Sequence, residues 1–295
     1  MTLVQARANS SNPQMGPFSV GRTGGVFKAL QVGRSIHVKR IEPFGDFKLV
    51  GFNNLTKALS FNLYDFCVAR DESERLSYVK YIAERYNAER VTKILRGICD
   101  IIEAKVLAVS DQNYEPWGAS SMVLMSDVAG GGASPDVATF KAMHLDKSHI
   151  CAHTYPDFHS GGSICTFRID IDIATCGEIT PLRALNYMME NFDNDVVVID
   201  YVVRGFTRDS AGRRVFRDHA VTSIQDFIDR KILKDYHCVD LALQSENIWQ
   251  TKMLRLNQDV QTYFPAKVDP KDPEVKRYMA EINREMRGIL HNWPD

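Results

Sequence analysis

Between Ile164 and Ile173 the chain alternates without a break. Phe167, Ile169, Ile171 and Ile173 fall on one parity, and Arg168, Asp170 and Asp172 on the other. Successive strand side chains point to opposite faces, so this segment reads as a strand with one apolar and one charged face. Such a strand needs a sheet with a covered side. Leu55 to Ala69, Lys105 to Ser110, Ser121 to Ser126, Asp195 to Thr207 and Val239 to Ile248 also read as strands. Asp209-Ser210-Ala211-Gly212 reads as a hairpin turn, with Val215 to His219 returning.

Helical spacing separates these groups. Asp71 or Ser73 can cap a helix running to about Asn87, with Leu76, Val79, Ile82 and Tyr86 on its stripe. A second helix carries Val91, Leu95, Ile98, Ile101 and Ile102, and a third starts at Thr180-Pro181. A short helix is expected over Ile224 to Leu233. The last runs from about Pro273 to Leu290, with Val275, Met279, Ile282, Met286 and Leu290 in line. Strands and helices alternate in groups, so the expected class is α+β, an antiparallel-rich sheet with helices packed on one face.

Composition narrows the possible roles. The chain has 295 residues and a net charge of −1, which gives no electrostatic footprint for nucleic acid or for a membrane surface. No apolar run approaches the roughly 20 residues of a membrane span. Cys67, Cys99, Cys151, Cys165, Cys176 and Cys238 are scattered without CxxC pairs, against both a structural zinc site and a secreted disulfide framework. A reducing cytoplasm is the expected setting. Residues 1–45 are set aside as a basic, partly disordered extension: up to Ile41 they carry Arg7, Arg22, Lys28, Arg34, Lys39 and Arg40 and no acid. Ala129 to Pro135 is a glycine-rich loop without the spacing of a phosphate site.

The chemistry is concentrated at mid-chain. From His144 to Pro156, thirteen residues hold Ser148, His144, His149, His153 and Cys151, and Cys176 follows in Thr175-Cys176-Gly177. Asp-Lys-Ser-His-Ile-x-x-His-Thr-x-Pro followed by Thr-Cys-Gly resembles the processing and active-site signature of bacterial S-adenosylmethionine decarboxylase, most nearly its longer, magnesium-requiring type. Gly51 to Lys57, Tyr114-Glu115-Pro116 and Val203 to Asp209 are similar to that family as well.

The resemblance implies a family domain over residues 46–295 that cuts itself between Lys147 and Ser148, leaving chains 1–147 and 148–295. Ser148 Oγ would attack the Lys147 carbonyl, and the residue would end as a covalent pyruvoyl group, the cofactor. His153 matches the processing base, a role that suits a side chain titrating near neutrality. The pyruvoyl carbonyl would form a Schiff base with the substrate amine, and Cys176 matches the proton donor that follows decarboxylation. Asp157 stands where the family usually carries a ribose-binding Glu. The shorter side chain is equally at home opening a turn after Pro156. Phe52 aligns loosely with an adenine-stacking aromatic and is equally at home as a core residue. Mg2+ is implied by the type, but no ligand can be named.

The fold implied is a two-layer α/β sandwich, four-layer αββα in a homodimer or higher oligomer. The function implied is conversion of S-adenosylmethionine to its propylamine for spermidine biosynthesis. Two other readings stay open: a pyruvoyl decarboxylase of a basic amino acid such as arginine or ornithine, and an uncleaved, non-enzymatic homologue. One further expectation needs only parity. Ser148 and His153 are five apart, so in a regular strand they face opposite sides, and a dimer would have to bring His153 and Asp157 of one chain to Ser148 and Cys176 of the other.

Overall fold

The structure, a computed structural model, describes residues 55–127, 148–158, 161–176, 179–209 and 211–293. Phe52, Lys147, the basic extension and the glycine-rich loop lie outside the described residues.

Ten strands are described: β1 (Thr56–Val68), β2 (Ala104–Asn113), β3 (Ala119–Asp127), β4 (Ser148–Phe158), β5 (Ile164–Cys176), β6 (Val196–Arg204), β7 (Thr207–Arg208), β8 (Arg214–Val215), β9 (Tyr236–Leu243) and β10 (Ile248–Arg255). Eight of them form one antiparallel sheet in the order β2-β3-β4-β5-β1-β6-β10-β9, and β7 and β8 make a small separate ladder. The α+β class read from the sequence therefore holds. β2 and β3 are joined through Tyr114 to Gly118, where Tyr114 N–H donates to Gly118 O. Gly118 sits at φ +103°, a conformation that glycine adopts without steric cost.

One face of the sheet is built from a single parity on each strand. Leu59, Phe61 and Leu63 of β1 stand beside Ile173, Ile171 and Ile169 of β5 and Tyr201, Ile199 and Val197 of β6. All are buried, and they join the side chains of α1 (Glu72–Arg85), α2 (Ala88–Ile101) and α3 (Leu185–Asn191) in one core. Asp71 and Asn87 cap the first two helices, accepting from Glu74 N–H and Arg90 N–H.

Three expectations need correction. Helices are not confined to one face. α5 (Pro273–His291) packs Val275, Tyr278, Ile282, Met286 and Leu290 against Phe66, Val68 and Val196, which point away from the first core. The physical reason is legible in Phe66-Cys67-Val68: a continuous apolar run suits a strand end buried on both sides. Next, the strand expected over Val239 to Ile248 is a hairpin. β9 returns as β10 through Asn247 in the left-handed region at φ 55°, a turn without Gly or Pro to announce it. Lastly, the helix expected over Ile224 to Leu233 is a 3-10 turn at Ile224–Phe227 followed by one turn, α4 (Arg230–Leu233).

Candidate active site

β4 and β5 pair without a bulge from His149–Ala174 to Phe158–Cys165. Ser148 precedes that first pair, and across its other edge it is opposite Met125 of β3. It lies on the helix-covered side at 1% exposure, in the same transverse row as Thr175, Lys57 and Val203. Burial leaves its hydroxyl in need of a partner. The Cys176 N–H supplies one, donating to Ser148 Oγ at 3.2 Å. Two residues 28 apart in sequence are thus joined where β4 begins and β5 ends.

The Cys176 side chain takes the other parity and emerges on the open face of the sheet. Its Sγ lies 3.7 Å from Thr56 Oγ1, the first residue of β1. Thr175 points back into the core, where its hydroxyl donates to Lys57 O at 3.3 Å or Ile179 O at 3.1 Å. Burial pushes the Cys151 thiol up, with Asp172 beside it adding to the rise, and carries Cys99 and Cys238 to about 11. Those three thiols stay protonated at neutral pH and fit packing roles.

His149, Cys151, His153, Tyr155 and Asp157 share the open face with Asp170 and Asp172. Parity therefore holds as expected: Ser148 and His153 point to opposite sides. Along a strand rising about 3.4 Å per residue they are also about 17 Å apart. Asp157 lies within β4 opposite Thr166, so it does not open a turn, and it faces the same side as His153. Arg168 donates to Asp170 at 2.7 Å and lies over the rings of Tyr64 and Tyr155. Among the described residues no three His, Cys, Asp or Glu side chains converge as a metal site, so no magnesium ligand is assigned.

Two residues of the family-like run Gly51 to Lys57, to which sequence reading assigned no role, stand beside the site. Thr56 meets the Cys176 thiol. Lys57, fully buried, sends its Nζ to Asp218 Oδ2 at 2.7 Å. The readable signal was a lysine on the parity of Leu59, Phe61 and Leu63.

Comparison with known proteins follows the same residues. Positions 82–205 match the family described as S-adenosylmethionine decarboxylase. A protein of Clostridium beijerinckii called S-adenosylmethionine decarboxylase proenzyme is 49% identical over 256 residues, 80% of this chain and 94% of its own length. One of the same description from Pseudoalteromonas translucida is 44% identical over 269 residues, 86% of this chain and 98% of its own.

Proposed function

This chain belongs to the S-adenosylmethionine decarboxylase family, and on that premise we propose that it is a self-processing decarboxylase acting on S-adenosylmethionine, with Ser148, His153 and Cys176 as its reacting groups. It supplies the decarboxylated donor for spermidine biosynthesis. Cleavage before Ser148 falls inside the family domain, residues 46–295, and divides the whole chain into 1–147 and 148–295.

The observation that carries the assignment is the bond between Cys176 N–H and Ser148 Oγ. It supports a pyruvoyl group at position 148. A residue converted there sits at a strand end, in a buried row, with a backbone donor already aimed at it. Once formed, the group supplies an electrophilic carbonyl that binds the substrate amine and draws in the electrons freed with carbon dioxide. The chain's own residues do the rest. Ser148 Oγ attacks the preceding carbonyl. His153 takes the proton that must leave for the chain to break. Cys176 Sγ–H, on the open face beside Thr56, returns a proton to the substrate carbon.

The open face also supports a homodimer. His153 and Ser148 of one chain are about 17 Å apart along β4, whereas a two-fold partner stacked on the open face can bring its His153 and Asp157 to this chain's Cys176 and, at the strand end, to the Ser148 Cα whose proton must leave. Away from the polar centre the face also exposes large apolar side chains, Met122 at 50% and Leu241 at 57%. Face-to-face sheets would make the four-layer arrangement, with α5 flanking at one end.

The test combines two measurements. Intact mass should show two chains, the second starting with pyruvoyl, and labelled carbon dioxide should be released from carboxyl-labelled S-adenosylmethionine but not from arginine or ornithine. A single uncleaved chain, or release from a basic amino acid alone, overturns the reading.

A further inference from the structure

A second polar constellation lies close to the reacting pair, and the chemistry above does not use it. Lys57 and Tyr201, both at 0% exposure, and His219, at 2%, are embedded in the helix-covered core, with Asp218 beside them. The Lys57 ammonium donates to Asp218 Oδ2 at 2.7 Å. His219 Nδ1 donates to the other carboxylate oxygen at 2.5 Å, and His219 Nε2 pairs with the Tyr201 hydroxyl at 2.9 Å. Burial would push the Asp218 carboxyl up, but the hydrogen bond from His219 and the Lys57 ammonium outweigh it and hold it at about 2. The chain of four is thus an ionised pair continued by an imidazole and a phenol.

Stability alone does not call for an ammonium in this row. Well-packed apolar side chains in place of a buried ion pair are often as stable or more so. What the pair has that they lack is direction, and its location shows what that direction serves. Thr56 is the first residue of β1 and Cys176 the last of β5, and they face each other in the ladder. Strand ends are where ladders open most readily. The next residue inward on β1 is Lys57. Its carbonyl accepts from Thr175 Oγ1, while Thr56 lies against the Cys176 thiol. Lys57 is therefore gripped at its carbonyl by the residue before Cys176 and at its ammonium by Asp218. Asp218 belongs to the segment after β8, itself tied to the sheet by Asn247 Nδ2 donating to Phe216 O and by Arg217 over the Trp249 ring.

We propose that Lys57 and Asp218 are positioning residues: their buried pair, braced by His219 and Tyr201, pins the β1–β5 strand ends so that the Cys176 thiol and N–H are held in register with position 148. The proposal rests on the decarboxylase reading and extends it to two residues that touch neither substrate nor the reacting atoms.

The discriminating variant is Lys57→Met/Asp218→Leu, which replaces the pair with apolar groups of similar size. Its thermal midpoint should match or exceed that of the wild type. Self-cleavage should nevertheless slow roughly tenfold, the order expected when reacting groups shift by a fraction of an ångström. A second readout follows the proton. Delivered to the pyruvoyl-derived carbon instead of the substrate carbon, it leaves the amine nitrogen on the enzyme as an N-terminal alanine, and water releases the substrate skeleton as an aldehyde. The share of turnovers ending in alanine, read by mass spectrometry of the 148–295 chain, should also rise roughly tenfold. Wild-type cleavage and wild-type alanine in the folded double variant overturn the proposal. If that variant does not fold, Lys57→Gln/Asp218→Asn carries the same test, since it removes both charges together and keeps polar groups of similar shape. A wild-type protein that neither cleaves nor decarboxylates S-adenosylmethionine is a different failure, because it removes the decarboxylase reading and this proposal with it.

Discussion

The parity of β4 makes a quantitative prediction about mixed dimers. The perturbation is a pair of variants, Ser148→Ala and His153→Ala, each expected to stay full-length and inactive when expressed alone. Within one chain the two side chains are on opposite faces and about 17 Å apart along β4, from five steps of about 3.4 Å. No histidine spans that distance, and the unbroken register with β5 leaves no bulge to shorten it. A partner stacked on the open face meets residue 148 at its Cα, the atom whose proton leaves, and so pairs Ser148 of one chain with His153 of the other. Co-expressed in equal amounts, the variants form about half mixed dimers. Each mixed dimer has one site with both residues intact and one with neither, so about a quarter of all chains should be cut, with about a quarter of wild-type activity. Only the His153→Ala chain should be cut, which differential tagging and intact mass will reveal. If mixed dimers isolated through both tags stay uncleaved, the site is built within a single chain and the argument from the separation along β4 is refuted.

Two further outcomes follow from the site. Cys176→Ala should lower decarboxylation by about 10²–10⁴, the usual worth of a positioned proton donor, with cleavage suffering less; a variant that turns over like wild type would reduce Cys176 to packing. Asp218, held at about 2 against an ordinary 3.8, should add roughly 2 kcal/mol of stability. Because its folded value is the lower one, that contribution is present above about pH 4 and fades as pH falls toward 2. The stability gap between wild type and Asp218→Asn, read from urea midpoints, should therefore shrink over that interval, and a gap that stays constant from pH 6 to 2.5 would contradict the assignment.

Much of this is legible in the amino-acid sequence alone. Period-two alternation is a local property of the backbone, so Ile164 to Ile173 declares a strand and its faces, and the five-residue offset between Ser148 and His153 declares opposite sides. The capping residue Asp71 is readable for the same reason, because a cap is made within one turn. Ser148 and Cys176, the proposed reacting groups, are named through the resemblance of the runs around them to the family rather than through periodicity.

Other features required the tertiary structure, because they depend on segments far apart meeting. Phe66-Cys67-Val68 is apolar on both parities, but only α5, more than two hundred positions later, says what covers the second side. The β9–β10 turn is made by one asparagine in the left-handed region, and no residue code for that is strong enough to be read alone. Lys57 at a core position announced that something must meet a buried ammonium. That it is Asp218, 161 residues away, and that the pair lies one strand over from Thr175 and two from Ser148, was decided by how the sheet orders its strands, since a buried charge constrains its partner's chemistry without constraining where in the chain that partner lies.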